Sequence, residues 1–414
     1  MSRVEQLIKE LCPEGIPEQT LDEMFVQFSG MTGVSNKWAD QGNCEFIDYM
    51  NAYKNLKIDI SAIHKATVKK QNQNTLQKGD ILFTSASETP DECAIASEIE
   101  DEIKPGVFMD DHLFGLRLKD QFQNMFATGY LKYAFRASTF RVKVQQVVRG
   151  VTRFYISKTD FMKLKLVVPP LPVQEEIVRI LDAFTELEAE LEAELEARKK
   201  QYEHYKSILL NHENATMMQA LGDVCNIVSG GTPSKKNSNY WADGSIKWLG
   251  STVCQNKKAV DNVTGYITEL GLSESSAKIM KKETTLIALV GATIGKTAFL
   301  PFEGAINQNI AGVYPKDTMT LDPSYLYYAC TTLYPKFVAL TQGSKLAMAN
   351  LSFVRSLKIS VPSSDEQRRI VHILDRFDKL CNDISEGLPA EIEARRKQYE
   401  YYRDKLLTFK ELEA

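Results

Sequence analysis

Gln174-Glu175-Glu176-Ile177-Val178-Arg179-Ile180-Leu181-Asp182-Ala183-Phe184 returns 193 residues later as Gln367-Arg368-Arg369-Ile370-Val371-His372-Ile373-Leu374-Asp375-Arg376-Phe377. Val168-Pro169 returns at the same offset as Val361-Pro362, and Glu196-Ala197-Arg198-Lys199-Lys200-Gln201-Tyr202-Glu203 returns as Glu393-Ala394-Arg395-Arg396-Lys397-Gln398-Tyr399-Glu400. A chain that repeats itself once, near half its length, is built of two like units, and that period has to be read before any fold is assigned. Apolar or aromatic residues at 177, 181, 184, 191, 195, 202, 205 and 209 follow alternating steps of three and four, with Glu188 and Arg198 as the polar exceptions, the spacing of a coiled-coil helix. Its partner stripe is Ile370, Leu374, Phe377, Ile392, Tyr399, Tyr402 and Leu406. Three tetrads, each opening on a leucine (Leu187, Leu191, Leu195) and ending at Arg198, fill the first stretch with good helix formers. Thr185-x-x-Glu188 has the form of a capping box, so the spacing leaves open whether the first helix breaks there or runs on. The second copy breaks at Gly387 and Pro389, where proline suits the first turn of a new helix.

Between the helices lie two segments whose likeness is looser. Ser29-Gly30 matches Ser229-Gly230, and Trp38-Ala39-Asp40 matches Trp241-Ala242-Asp243. Lys78-Gly79-Asp80 leading into Ile81-Leu82-Phe83-Thr84 reads as turn then strand, as does Glu283 leading into Thr284 to Val290, while Asp322-Pro323 reads as a helix start. The expected fold class is therefore α/β (α+β). Two β-rich modules, 1–172 and 214–362, alternate with two long antiparallel helical regions, 173–213 and 363–414, in a pseudo-two-fold repeat. A helix over 173–211 would be about 58 Å long at ~1.5 Å per residue.

Composition narrows the function classes. The 414 residues are 43% apolar, ordinary for a globular chain with a real core, which excludes disorder and collagen-like structure. No apolar run reaches the ~18 residues of a bilayer span, and the first residues lack a secretory pattern, so the expectation is a cytoplasmic protein with no membrane. Seven scattered cysteines without a C-x-x-C pair read as reduced thiols, and five histidines without H-x-x-x-H spacing argue against a metal site.

Net charge is -4, but the average hides a polarity. The segments 1–172, 173–213, 214–362 and 363–414 carry -1, -6, +5 and -2. Within the first, residues 131–165 hold nine bases, Lys132, Arg136, Arg141, Lys143, Arg149, Arg153, Lys158, Lys163 and Lys165, against Asp160, interleaved with aromatic residues. Such a stretch suits a polyanion, because each base set on a phosphate releases counterions, and it equally suits a solvated surface. Candidate DNA contacts are Lys69, Lys70, Arg141, Lys143, Arg149 and Arg153 in the first module and Lys235, Lys236, Lys257, Lys296 and Lys345 in the second. Most would touch phosphate rather than bases. The polar run Ser229 to Tyr240 is a loop able to reach a groove.

Two motifs tempt. Gly291-Ala292-Thr293-Ile294-Gly295-Lys296-Thr297 is one residue short of a phosphate-binding loop, which needs four residues between its glycines. Asp322-Pro323-Ser324-Tyr325 approaches the tetrapeptide with which amino-methyltransferases hold adenine, but serine stands at its third position and no glycine-rich turn follows a strand to bind S-adenosylmethionine. No catalytic residues are assigned.

The repeated helical blocks resemble the specificity subunit of type I restriction-modification systems. The resemblance spans the chain in order, tight in the helices and loose in the modules. It implies a non-catalytic subunit that binds double-stranded DNA, two modification (methyltransferase) subunits and two restriction (motor-nuclease) subunits. It also implies that this chain binds no cofactor, S-adenosylmethionine, ATP and Mg2+ being used by the partners. Each module would read one half of a bipartite, asymmetric site, and tetrads such as those at Leu187, Leu191 and Leu195 would set the spacer between the halves. The alternatives are a self-sufficient adenine-N6 methyltransferase, which would act without partners, and a coiled-coil scaffold that reads no DNA.

Overall fold

The computed structural model describes residues 2–70, 73–210, 218–260, 262–341, 348–383 and 385–410. The chain forms two compact units, Met1–Glu190 with Glu393–Ala414, and Leu191–Ile392.

In the first unit a four-stranded antiparallel sheet has the order Phe25–Ser29, Leu113–Leu118, Ile81–Thr84, Ala96–Glu98. A second sheet orders Val34–Lys37, His64–Val68, Cys44–Ile47 and Val107–Met109, its last two strands parallel. The second unit repeats the first of these sheets strand for strand and the parallel pair of the second, with the mixed sheet's outer strand on the other side. One sheet orders Cys225–Ser229, Ile310–Pro315, Thr285–Ala288 and Thr297–Phe299, and the other orders Gly265–Ile267, Ile246–Leu249, Gly304–Ile306 and Lys278–Met280 with its middle pair parallel. Each module closes on a ribbon that joins its first and last strands, Glu18–Thr20 to Lys165–Val167 and Met218–Ala220 to Lys358–Ser360. A module whose ends meet in one ribbon can change its interior without moving the helices that follow. The repeated tryptophans fill equivalent places: Trp38 packs on Phe46 and Trp241 on Trp248, edge-on at 5.6 and 5.2 Å.

The expected local signals hold. Gly79, at φ +86°, turns the chain into Ile81–Thr84, and Asp322 caps the helix Pro323–Thr331 through its own carboxylate. The first helical region is one unbroken helix, Leu171–Leu210. Thr185 does not cap. Its hydroxyl donates back to the Asp182 carbonyl at 2.9 Å, a bond compatible with a continuing helix, so the capping-box pattern was met by a residue doing something else. The second copy does break, into Ser364–Asn382 and Leu388–Leu406, with Pro389 in the first turn. Gly387 is required there, since a Cβ would stand 2.5 Å from the Lys379 carbonyl oxygen.

In the first unit the helices pair antiparallel, Phe184 stacking on Tyr402 at 5.3 Å and Glu188 bonding Arg396 at 2.9 Å. In the second, Phe377 meets Tyr202 and Tyr205 at 6.2 and 5.6 Å. Leu187, Leu191 and Leu195 lie half-buried along the long helix.

Candidate nucleic-acid interface

The most conspicuous residues of the repeat are committed to holding each module to its helix. Gln, Ile, Leu and Asp of each copy stand at i, i+3, i+7 and i+8, one face of a helix. Ile177 and Leu181 are fully buried in the first core, Ile370 and Leu374 in the second. Gln174 accepts from the Ala127 N–H at 2.9 Å and donates to the carbonyls of Met125 and Pro169 at 3.0 and 2.7 Å. Gln367 makes the same three bonds, to the Asp322 N–H at 2.8 Å and the Thr320 and Pro362 carbonyls at 2.9 and 2.8 Å. Asp182 accepts from Tyr133 and Lys132, and Asp375 from Tyr328 and Lys258. The lysines come from different places in the two units, Lys132 from the helix Tyr130–Ala134 and Lys258 from a loop.

Much of the basic stretch 131–165 is turned inward. Lys132 is buried between Glu100 and Asp182. Arg136 donates to the carbonyls of Ala96 and Asn55, and burial pulls it down to about 10. Arg141 donates to the carbonyls of Asp91, Cys93 and Ala94, and burial again lowers its pKa. Lys143 pairs with Glu18. The polyanion reading of this stretch is therefore corrected for Lys132, Arg136 and Arg141, whose charge satisfies backbone carbonyls and carboxylates that a composition count cannot see, whereas Lys143 stays partly exposed. Arg149 is exposed but leans on Asp160 at 3.5 Å, and Arg153 is exposed.

Lys69 and Lys70 are exposed at the end of His64–Val68, and Lys235 and Lys236 on the loop after Cys225–Ser229. Lys257 is exposed. Lys296 is half-buried in the turn between the 3-10 turn Gly291–Thr293 and the strand Thr297–Phe299, which is not the strand, loop and helix that a phosphate-binding loop requires. Lys345 lies outside the described residues.

Sequence reading missed two turns that join the paired sheets, Asp110-Asp111-His112 and Asn307-Gln308-Asn309. They share no residue, yet their backbones are held alike. The Asp110 N–H donates to the Ile47 carbonyl at 2.9 Å and that of Asn307 to Leu249 at 3.1 Å. The carbonyl of His112 accepts from Ser85 at 2.9 Å and that of Asn309 from Leu289 at 2.8 Å. The first side chain of each turn caps the third residue's N–H, at 2.8 Å from Asp110 and 2.9 Å from Asn307. The chain of Ser29-Gly30 or Ser229-Gly230 crosses so closely that a Cβ on Gly30 would stand 2.0 Å from the Asp110 oxygen, and one on Gly230 1.8 Å from the Ile306 oxygen. That contact explains the repeated dipeptide. Asp110, Asp111 and His112 have the donor atoms of a metal site, but the Lys37 ammonium stands 2.9 and 2.7 Å from the two carboxylates and supplies the countercharge.

The seven cysteines are free thiols, six of them buried, and burial pushes Cys225 and Cys254 up to about 12. Among the described residues no helix is long and apolar enough to cross a membrane.

The family model described as the type I restriction modification DNA specificity domain matches residues 13–197 and again 215–394. The chain is 38% identical over 268 residues to the specificity subunit of an Escherichia coli type I restriction enzyme, a match spanning 62% of this chain and 66% of that protein. It is 32% identical over 320 residues to a putative type I specificity subunit of Haemophilus influenzae, spanning 72% and 76% of the two. Among solved structures, the S subunit of a type I restriction-modification system from M. genitalium superposes with a TM-score of 0.54 at 16% identity, over 94% of this chain and 96% of the other. A chain from a type I system studied for its assembly gives 0.62 at 16% identity, over 95% and 98%.

Proposed function

The chain belongs to the type I restriction modification DNA specificity family, and from that membership we propose that it is the DNA-reading subunit of such a system, recognising a bipartite, asymmetric duplex site. The observation that carries this reading is one four-stranded antiparallel sheet order and one closing ribbon built twice from unlike loops, each copy docked on the same helical motif. Two identical readers would select a symmetric word. Two readers of one plan and different surface select two different half-words separated by bases that neither touches.

The chemistry falls to the partners. Two modification subunits bring S-adenosylmethionine and methylate adenine N6, and two motor-nuclease subunits use ATP and Mg2+ to cut unmodified DNA. This chain selects the site and presents the target base, which has to leave the duplex to be methylated. Exposed lysines such as Lys69, Lys70, Lys235 and Lys236 hold phosphates and fix register without choosing sequence.

Sequencing of methylated adenines from a host that carries this chain with its modification partner tests the proposal. The expected result is a two-part word with an undefined spacer, dependent on this chain. Methylation of one uninterrupted word, or methylation that persists without this chain, overturns it.

A further inference from the structure

The two turns 110–112 and 307–309 have fixed backbones and unlike side chains, which is what two readers of different words need. Their first residues are spent on the fold, Asp110 being 1% and Asn307 7% exposed, each capping its own turn. The following side chains are accessible: Asp111, His112 and Gln308 are exposed and Asn309 is half-buried. In both units the middle residue is steadied by a neighbour. Lys37 bonds Asp111 at 2.7 Å, and the Thr232 hydroxyl donates to the Gln308 Oε1 at 2.8 Å. A side chain steadied by one partner, on a turn held by two backbone bonds and a side-chain cap, loses little further freedom when it meets a base. In the second unit the exposed Lys235 and Lys236 lie on the loop that carries Thr232, so phosphate anchors and a reader share one short segment.

Resting on the DNA-reading role proposed above, we infer that these turns are the base-reading elements, Gln308 and Asn309 for one half-site and Asp111 with Lys37 for the other. The chemistry sets what each reads. A carboxamide offers a donor and an acceptor together, the complement of adenine N7 and N6 in the major groove. Gln308 and Asn309 therefore specify A·T pairs. Asp111 offers an acceptor beside the Lys37 donor, matching cytosine N4 and guanine O6 across one base pair, so that pair specifies G·C. His112 adds a group able to donate or accept.

The experiment uses the full chain assembled with its modification partner, and sequencing of methylated adenines as readout. Gln308→Ala with Asn309→Ala relaxes one or more A·T positions of one half-site, with about 10- to 100-fold loss of discrimination, and leaves the other half-site and the spacer as they were. Asp111→Asn changes a G·C position in the opposite half only. Should the alanine pair fail to fold, Gln308→Glu keeps the shape and loses the donor, and the same A·T position is then selected against. A wild-type chain that gives a two-part word, with variants that give the same word at the same selectivity, overturns the assignment of the turns and leaves the DNA-reading role standing. A wild-type chain that gives no two-part word defeats both.

Discussion

Replacing Gln367 by methionine removes a clamp while keeping a straight, similar-sized side chain, so the cost is almost wholly that of polar groups left alone. Gln367 is fully buried, and its loss strands the Asp322 N–H and the carbonyls of Thr320 and Pro362. An unsatisfied buried group costs about 1–3 kcal/mol, and carbonyls with a second lone pair sit at the low end. Three such groups, offset by about 1 kcal/mol or more from burying an apolar side chain, give a net loss of about 3 kcal/mol. Asp322 also caps the helix Pro323–Thr331 by bonding the N–H groups of Ser324 and Tyr325, so the damage enters the module at that helix. Native-state hydrogen exchange read by mass spectrometry is the suitable assay, because a chain of two units need not unfold in one step. Exchange in residues 310–331 and 358–374 should accelerate by about a hundredfold, while residues 107–135 stay as they were. Gln174→Met should do the reverse. A change below about tenfold, or equal acceleration in both units, would refute the claim that each repeated glutamine secures its own module.

Glu98 is buried, its carboxyl raised to about 7 by desolvation against an ordinary 4.5, with the N–H groups of Gly129 and Lys132 pulling the other way. The folded carboxyl holds its proton where the unfolded one has lost it, so stability should fall by about 3 kcal/mol as pH rises from about 4.5 to 7 and then level off. Urea melts of wild type and Glu98→Gln across that window check this, the difference between the two curves carrying the slope. Arg141→Ala strands three carbonyls and should lower stability by about 2–3 kcal/mol without altering the salt dependence of DNA binding by the assembled complex. Lys235→Ala with Lys236→Ala should do the opposite, leaving the melt unchanged and reducing the slope of log K against log salt by up to about 1.8, as anisotropy titrations would show. Deleting Leu191 to Glu194 removes about 6 Å and about 40° of excess rotation from an unbroken helix. Methylome sequencing should then show both half-sites intact and a spacer shorter by about one base pair.

What was legible in the sequence, and what was not, divides along a physical line. Features written in one strand of sequence could be read: the 193-residue repeat, the helical stripes, the cap at Asp322 and the break at Gly387 and Pro389. Each depends on neighbours within a turn or two. The role of a charge could not be read, because it depends on what lies opposite. Arg141 and Lys235 look alike in a composition count, yet one meets carbonyls about fifty residues away and the other stands exposed. The turns at 110–112 and 307–309 were hidden for the converse reason, since what they share is backbone geometry and no side chain. The one trace they left was Ser29-Gly30 and Ser229-Gly230, whose glycines are demanded by the strand that passes over the turn. In a protein that keeps its frame and varies its readers, shared residues mark the frame. The parts that choose a word are to be sought where two copies agree in backbone and disagree in chemistry.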